Sequence, residues 1–326
     1  MKKRYAIGID IGGTKIEMGL VDMHGLVSEK IRIPSNVTGG YHAMEKDIIS
    51  SIETLKKTTN GRVFGIGAGI PGQVNTRDGS ILLAPNLQWE NIPFKTNIEQ
   101  KTRLPIVLTN DVRAATWGEW LNGAGQGCHD LACVFVGTGI GGGIVNADRM
   151  IEGFSNCAGE IGHTIIQRHG PLCTCGNHGC FEALASGWAI TKRTKEIIQD
   201  NHQKGNIILA LADGKIQAIN TKLIVQAYHQ GDALAQEIFQ DVFDALIIGC
   251  VGLVNTVNPE KLILGGGVVF GLPEIVERVR EGIKKYSVRA ATSSVEVIQA
   301  KFTQDAGTIG AGTLAWNTFT KTFTPP

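Results

Sequence analysis

Apolar positions alternate in some stretches of this chain and recur at helical spacing in others, and the changes of rhythm mark out its elements. Tyr5 to Ile11 alternates and is rich in isoleucine, which predicts a strand. It runs into Asp10-Ile11-Gly12-Gly13-Thr14-Lys15. Ile16 to Val21 and Leu26 to Ile33 predict two more strands, turning at Asp22-Met23-His24-Gly25. Ala43, Met44, Ile48, Ile52 and Leu55 fall on one helical face. Val63 to Ile70 is an apolar strand that stops at Pro71-Gly72. Pro105 to Thr109 is another, ending at Asn110-Asp111, and a helix over Val112 to Leu121 follows at once, which places Asp111 near an N-cap.

The pattern then restarts. Leu131 to Val136 reads as a strand entering Gly137-Thr138-Gly139-Ile140-Gly141-Gly142-Gly143, with a second hairpin turning at Asn146-Ala147-Asp148. A Gly/Thr turn between a strand and a hairpin therefore occurs twice, which points to a duplicated domain with a ligand between the copies. Cys157 to Glu182 is irregular and polar, a long insertion of the kind that carries function. Helices are expected over Leu234 to Val257 and, with proline at its start, Pro273 to Tyr286. Between them the strand Leu262 to Leu264 ends in Gly265-Gly266-Gly267. Gln304 to Asn317 reads as a last helix capped by Asp305, followed by a frayed tail over Thr318 to Pro326.

Composition narrows the function. The 326 residues favour two domains at ~150 residues each. Lys plus Arg is 31 against 30 for Asp plus Glu, so the electrostatic footprint of a general nucleic-acid binder is missing. The longest apolar run, Ala245 to Val254, is too short for a bilayer, and no hydrophobic signal region follows the basic start, so a cytoplasmic protein is expected. Glycine, at 42, is about twice its usual ~7% share, which implies many tight turns or close approaches of backbone to a ligand. Seven cysteines, three of them clustered, suggest metal before disulfide in a reducing compartment.

Glycines without a Cβ let successive N–H groups close on phosphate oxygens, and threonine adds a hydroxyl. A strand-to-hairpin setting fits neither a Walker loop nor a dinucleotide fingerprint. Two such turns plus Gly265 to Gly267 favour phosphate binding over simple turns. Asp10, at the end of a buried-looking strand, needs a cation or a donor and is a candidate for Mg2+, or else a turn aspartate. Asp111 ends a strand and opens a helix, where α/β ligands bind; it is either a cap or a base that accepts the proton of a sugar hydroxyl. Asn110 offers donor and acceptor to another hydroxyl. His163, Cys173, Cys175 and Cys180 make a Cys3His set suited to tetrahedral structural zinc, with His169 and His178 as alternative nitrogen ligands. Glu160 and Glu182 flank that set, and a closed metal site would hold both carboxylates rigidly toward a polyhydroxyl ligand.

Together Asp10 to Lys15, Asn110-Asp111, Gly137 to Gly143, Ala158 to His163, Cys173 to Glu182 and Gly265 to Gly267 resemble, in order and across nearly the whole chain, the ROK family (repressor, open reading frame, kinase). The resemblance implies an α/β fold of two related actin/hexokinase-like, ribonuclease H-like domains with a cleft between them. The smaller would span 1–118 plus 305–326 and the larger 119–304. It implies an ATP-dependent hexose kinase acting at the 6-hydroxyl, glucose first, with Mg2+ and structural zinc, working as a cytoplasmic homodimer without nucleic acid or membrane. Asp111 aligns with the catalytic base. Gly72, Asn110, Asp111 itself, Glu160, His163 and Glu182 align with sugar positions. Asp10, Gly12, Gly13, Thr14, Lys15, Thr138, Gly139, Gly266 and Gly267 align with nucleotide and Mg2+ regions. The metal ligands would be His163, Cys173, Cys175 and Cys180. Kinases of N-acetylmannosamine or N-acetylglucosamine are the alternative; a fructokinase, a mannokinase or a sugar-responsive regulator without turnover stands behind them. The family often reads Asn-Asp-Ala-Asn where this chain has Asn110-Asp111-Val112-Arg113, which bears on substrate preference and local packing. The family's repressors carry a winged helix ahead of this region, for which the early Asp10 loop leaves no room.

Overall fold

The structure, a computed structural model, describes residues 3–75 and 77–320. The chain divides into two compact units, 1–129 with 145–158 and 304–326, and 130–144 with 159–303.

In the first unit β1 (Arg4–Ile11), β2 (Lys15–Val21) and β3 (Val27–Pro34) form an antiparallel meander. Helix α1 (Gly40–Thr58) buries Met44, Ile48, Ile52 and Leu55, the face its spacing predicts. It crosses to β4 (Arg62–Ile70), which pairs parallel with β1. A small three-stranded sheet, β5 (Gln73–Val74), β6 (Ile81–Ala84) and β7 (Trp89–Ile92), follows, then α2 (Phe94–Thr102). Strand β8 (Ile106–Asn110) lies parallel to β4, giving the order β3-β2-β1-β4-β8, and α3 (Asp111–Asn122) leaves its end. The expected boundary at 118 would cut α3, whose buried Ala114, Trp117 and Leu121 belong to the first unit's packing.

In the second sheet β9 (Leu131–Val136) pairs with β10 (Ile140–Asn146), which turns into β11 (Arg149–Met150). Ala147 and Asp148 both have positive φ, as a tight two-residue hairpin turn requires. After the irregular stretch come α4 (Phe181–Ala185), α5 (Gly187–Asp200), α6 (Asn206–Leu211), α7 (Thr221–His229) and the long α8 (Ala233–Val257). Strand β12 (Lys261–Gly265) lies parallel to β9, and after α9 (Gly267–Gly271), α10 (Glu274–Tyr286) and α11 (Arg289–Thr292) the last strand, β13 (Glu296–Gln299), lies parallel to β12. The order β11-β10-β9-β12-β13 repeats the first sheet's plan.

The last helix, α12 (Ala306–Thr320), packs on β1, β4 and α3 of the first unit. It can do so because the facing residues are small: a Cβ on Gly67 would overlap the Ala311 carbonyl, and one on Gly310 the Ala114 carbonyl. Thr318–Thr320, expected to fray, complete this helix; 321–326 lie outside the described residues. No helix among the described residues is long and apolar enough to cross a membrane.

Candidate active site

Three strand ends of the first unit bring candidate residues together. Asn110, not Asp111, caps α3: its Oδ1 accepts from the N–H groups of Val112 at 3.0 Å and Arg113 at 3.3 Å. Asp111 is thereby the first helical residue, with Oδ1 accepting from the Val112 N–H at 2.9 Å. That removes the capping explanation for Asp111 and leaves a carboxylate held at the end of the sheet. Asn110 keeps its amide NH2 as the group for a hydroxyl. Gly69, at the end of β4, lies against the Asp111 backbone, and Gly72 is folded onto Leu83 and Ala84 of β6.

Asp10 lies nearby. Burial pushes its carboxyl up to about 7, helped by the carboxylates of Asp111 and Glu17 and opposed by Lys15. A carboxyl that resists ionising beside other carboxylates suits a divalent cation, which would favour its charged form. The first turn of α12 reaches the same carboxyl, since a Cβ on Gly307 would overlap it. The glycine turn itself is tight: Gly12 N–H donates to the Lys15 carbonyl at 2.9 Å, and Ser35 Oγ donates to the Gly12 carbonyl at 2.6 Å. Lys15 pairs with Glu17 at 2.9 Å. Asn86, which no sequence pattern singled out, stands beside Gly13.

The second unit holds a cavity of its own. Its turn after β9 is closed by Gly137 N–H donating to the Gly139 carbonyl at 2.9 Å. The start of α5 docks on it, Gly187 N–H donating to the Gly137 carbonyl at 2.9 Å and Trp188 N–H to the Thr138 carbonyl at 3.0 Å. Gly266 has φ +91°, and a Cβ there would overlap the Val136 carbonyl, so only glycine lets β12 turn toward α9 at this point. Thr138, Gly267, Trp188, Lys192, Lys195 and Asn220 line a cavity of about 970 Å3. The volume suits a nucleotide-sized ligand. Thr138 and Gly267 were legible in the sequence; the α5 and α7 walls were not.

The metal set converges. The ligand atoms of His163, Cys173, Cys175 and Cys180 all lie within 4.8 Å of one another. Cys175 and Cys180 sulfurs are 3.6 Å apart, and Cys173 Sγ is 3.7 Å from His163 Nδ1. A tetrahedron with Zn–S near 2.3 Å has edges of about 3.8 Å, so these spacings fit zinc. Burial and the neighbouring sulfurs push Cys180 up to about 12, a thiol that a bound cation would turn into a thiolate. His169 is absent from the cluster, and His178 turns its Nδ1 to the Gly170 carbonyl at 3.2 Å instead. With Nδ1 on the sulfur side, His163 keeps Nε2 for another partner.

The two flanking glutamates differ. Glu160 is exposed at the start of the short turn carrying His163. Glu182 is already engaged: Oε2 accepts from the Ile140 N–H at 2.8 Å, and Oε1 from Trp188 Nε1 at 3.2 Å and Thr174 Oγ1 at 3.4 Å. It ties the metal loop to the glycine turn.

Residues 6–318 match the sequence model of the ROK family. The chain belongs to the ROK family. It is 33% identical over 310 residues to the glucokinase of Streptomyces coelicolor, covering 95% of this chain and 96% of that protein. The crystal structure of a ROK family glucokinase from Streptomyces griseus, in complex with glucose and AMPPNP, superposes with a TM-score of 0.83 at 32% identity, covering 95% of this chain and 99% of that one. The xylose repressor of Caldicellulosiruptor bescii is 30% identical over 308 residues, which cover 93% of this chain but 76% of the repressor. The paired five-stranded sheets are the two-domain, actin-like ROK architecture.

Proposed function

We propose that this ROK protein is an ATP-dependent hexose kinase, with glucose as the hexose and its 6-hydroxyl as the acceptor. The observation that carries the reading is Asp111, which opens α3 behind the Asn110 cap and whose charge bears on the carboxyl of Asp10. Its carboxylate accepts the hydroxyl proton as the new O–P bond forms and the bond to ADP breaks. Asn110, Gly72, Glu160, His163 and Glu182 orient the sugar; Glu182 does so while fixing the glycine turn. Gly12, Gly13, Thr14 and Lys15 with Thr138, Gly139, Gly266 and Gly267 serve the nucleotide. Mg2+, held through Asp10, would neutralise charge on the transferring phosphates. Zinc on His163, Cys173, Cys175 and Cys180 would stiffen the sugar-binding loop. Glucokinase relatives aligned over nearly their whole length support the reading, as does the glucose- and AMPPNP-bound structure. The proposal includes a cytoplasmic homodimer, the family's common unit.

The repressor relatives favour one other reading, a sugar-responsive binding protein without turnover. An ADP-release assay across glucose, mannose, fructose, N-acetylglucosamine and N-acetylmannosamine separates the two. Glucose is expected to give the highest kcat/KM; preference for an acetamido sugar would move the assignment, and sugar binding without ADP release would replace the kinase by the regulator.

A further inference from the structure

A buried chain of hydrogen bonds joins three separate segments of the first unit around Asp111. Arg113 stands on the first turn of α3, two residues past the base, and is 2% exposed. Its Nη1 donates to Asn156 Oδ1, and its Nη2 donates to the Asn156 backbone carbonyl at 2.6 Å. Asn156, 6% exposed, donates in turn from Nδ2 to the Val74 carbonyl at 2.7 Å. Val74 ends β5, two residues past Gly72. Asn156 has φ +61°, a left-handed conformation asparagine tolerates better than most residues. One guanidinium fork thus takes both acceptors of a single asparagine, and that asparagine's amide reaches a third strand.

We propose that Arg113 and Asn156 are positioning residues: together they hold the Gly72–Val74 segment in register with Asp111 and thereby set the hexose before the base. The inference rests on the hexose-kinase reading. The clamp requires arginine in particular, because a planar fork can serve two acceptors at fixed angles, whereas lysine offers a single pivoting charge. It acts at distances where small errors matter, since ~1 Å of misplacement can cost about a hundredfold in rate. The departure from the family's usual asparagine at 113 then has a physical account: this chain tethers its base helix to the 151–158 segment from inside.

The test uses the full chain carrying Arg113→Lys or Asn156→Ala, and the double variant. Both single variants should raise the hexose KM about ten- to a hundredfold while leaving the KM for ATP unmoved. Hydrogen–deuterium exchange should quicken in peptides covering both 71–75 and 110–116. The double variant should be no worse than either single one, as expected of residues acting as one unit. A lowered melting temperature with an unchanged hexose KM, or faster exchange confined to 110–116, would overturn the proposal. Should the wild-type chain phosphorylate no hexose, the kinase reading falls by itself; the exchange measurement still decides whether the two segments are coupled through Arg113.

Discussion

The two glycine turns occupy the same place in two sheets of the same order, yet they are furnished differently. In the first sheet the penultimate residue of the central strand is Asp10, opposite Gly69 on the parallel neighbour. In the second the penultimate residue is Phe135, opposite Gly265. One copy keeps a carboxylate at that point and adds Asp111 just past the end of β8, two strands along the sheet. The other keeps an aromatic ring against glycine and opens, beyond Gly266, onto a cavity of about 970 Å3. On the proposed reading a duplicated scaffold divides the work: the first copy would hold charge where bonds change, and the second would hold room for a nucleotide.

The sharpest way to break that asymmetry is Asp111→Asn. The amide keeps the shape and the Val112 contact but accepts no proton, so kcat should fall about a thousandfold. Hexose affinity should stay near wild type because the amide can still hydrogen-bond the sugar hydroxyl, and nucleotide affinity because the second unit's turn and cavity are untouched. Steady-state kinetics with calorimetric binding measures both. A loss below about tenfold would mean that charge in the first copy is not where proton transfer occurs.

The second unit can be attacked through its candidate metal set. Cys175 is the exposed member of the four-ligand set, so Cys175→Ser removes a ligand without opening the core. Zinc content by mass spectrometry should drop well below one per chain, and hexose affinity should fall about ten- to a hundredfold. Nucleotide affinity should change less, since neither Cys175 nor its partner ligands line the cavity. A zinc-free variant that binds hexose like wild type would reduce the metal to a fold staple.

Much of this division was readable beforehand. The strand ending at Ile11 announced itself by alternation, those ending at Asn110 and Val136 by short apolar runs that stop at Asn-Asp or glycine, and the Cys3His set by its crowding within a short stretch. What escaped was either a choice between neighbours, a very short strand or a contact far along the chain. Asn110 rather than Asp111 caps α3, because the choice depends on which side chain folds back on the first turn, and both residue types can do so. The engagement of Glu182 with Ile140 spans 42 residues, and Arg113 finds Asn156 across 43. The cavity wall on α5 was hidden because Trp188, Lys192 and Lys195 look like an ordinary amphipathic helix until its start docks on Gly137. The β5–β7 sheet was missed because its strands are only two to four residues long, below what a period can show.

The smallest expected effect probes the charge in the first copy directly. Burial first, and then Asp111 and Glu17, push Asp10 up to about 7 from an ordinary value of 3.8, with Lys15 opposing. In the unfolded chain the group ionises near 3.8; in the folded protein it keeps its proton until about 7. The folded state therefore has its full advantage from this group below the lower value, and loses it progressively as pH rises through the interval. Above the upper value both states are ionised and the loss levels off, at a cost on the order of 4 kcal/mol. Asp10→Asn has no proton to lose. In Mg2+-free buffer its melting temperature, compared with wild type at each pH, should gain a few degrees between about pH 4 and 7 and then stay level. Parallel profiles would show that Asp10 ionises as freely as a surface acid, and the contrast with Phe135 would then lie in shape rather than in stored charge.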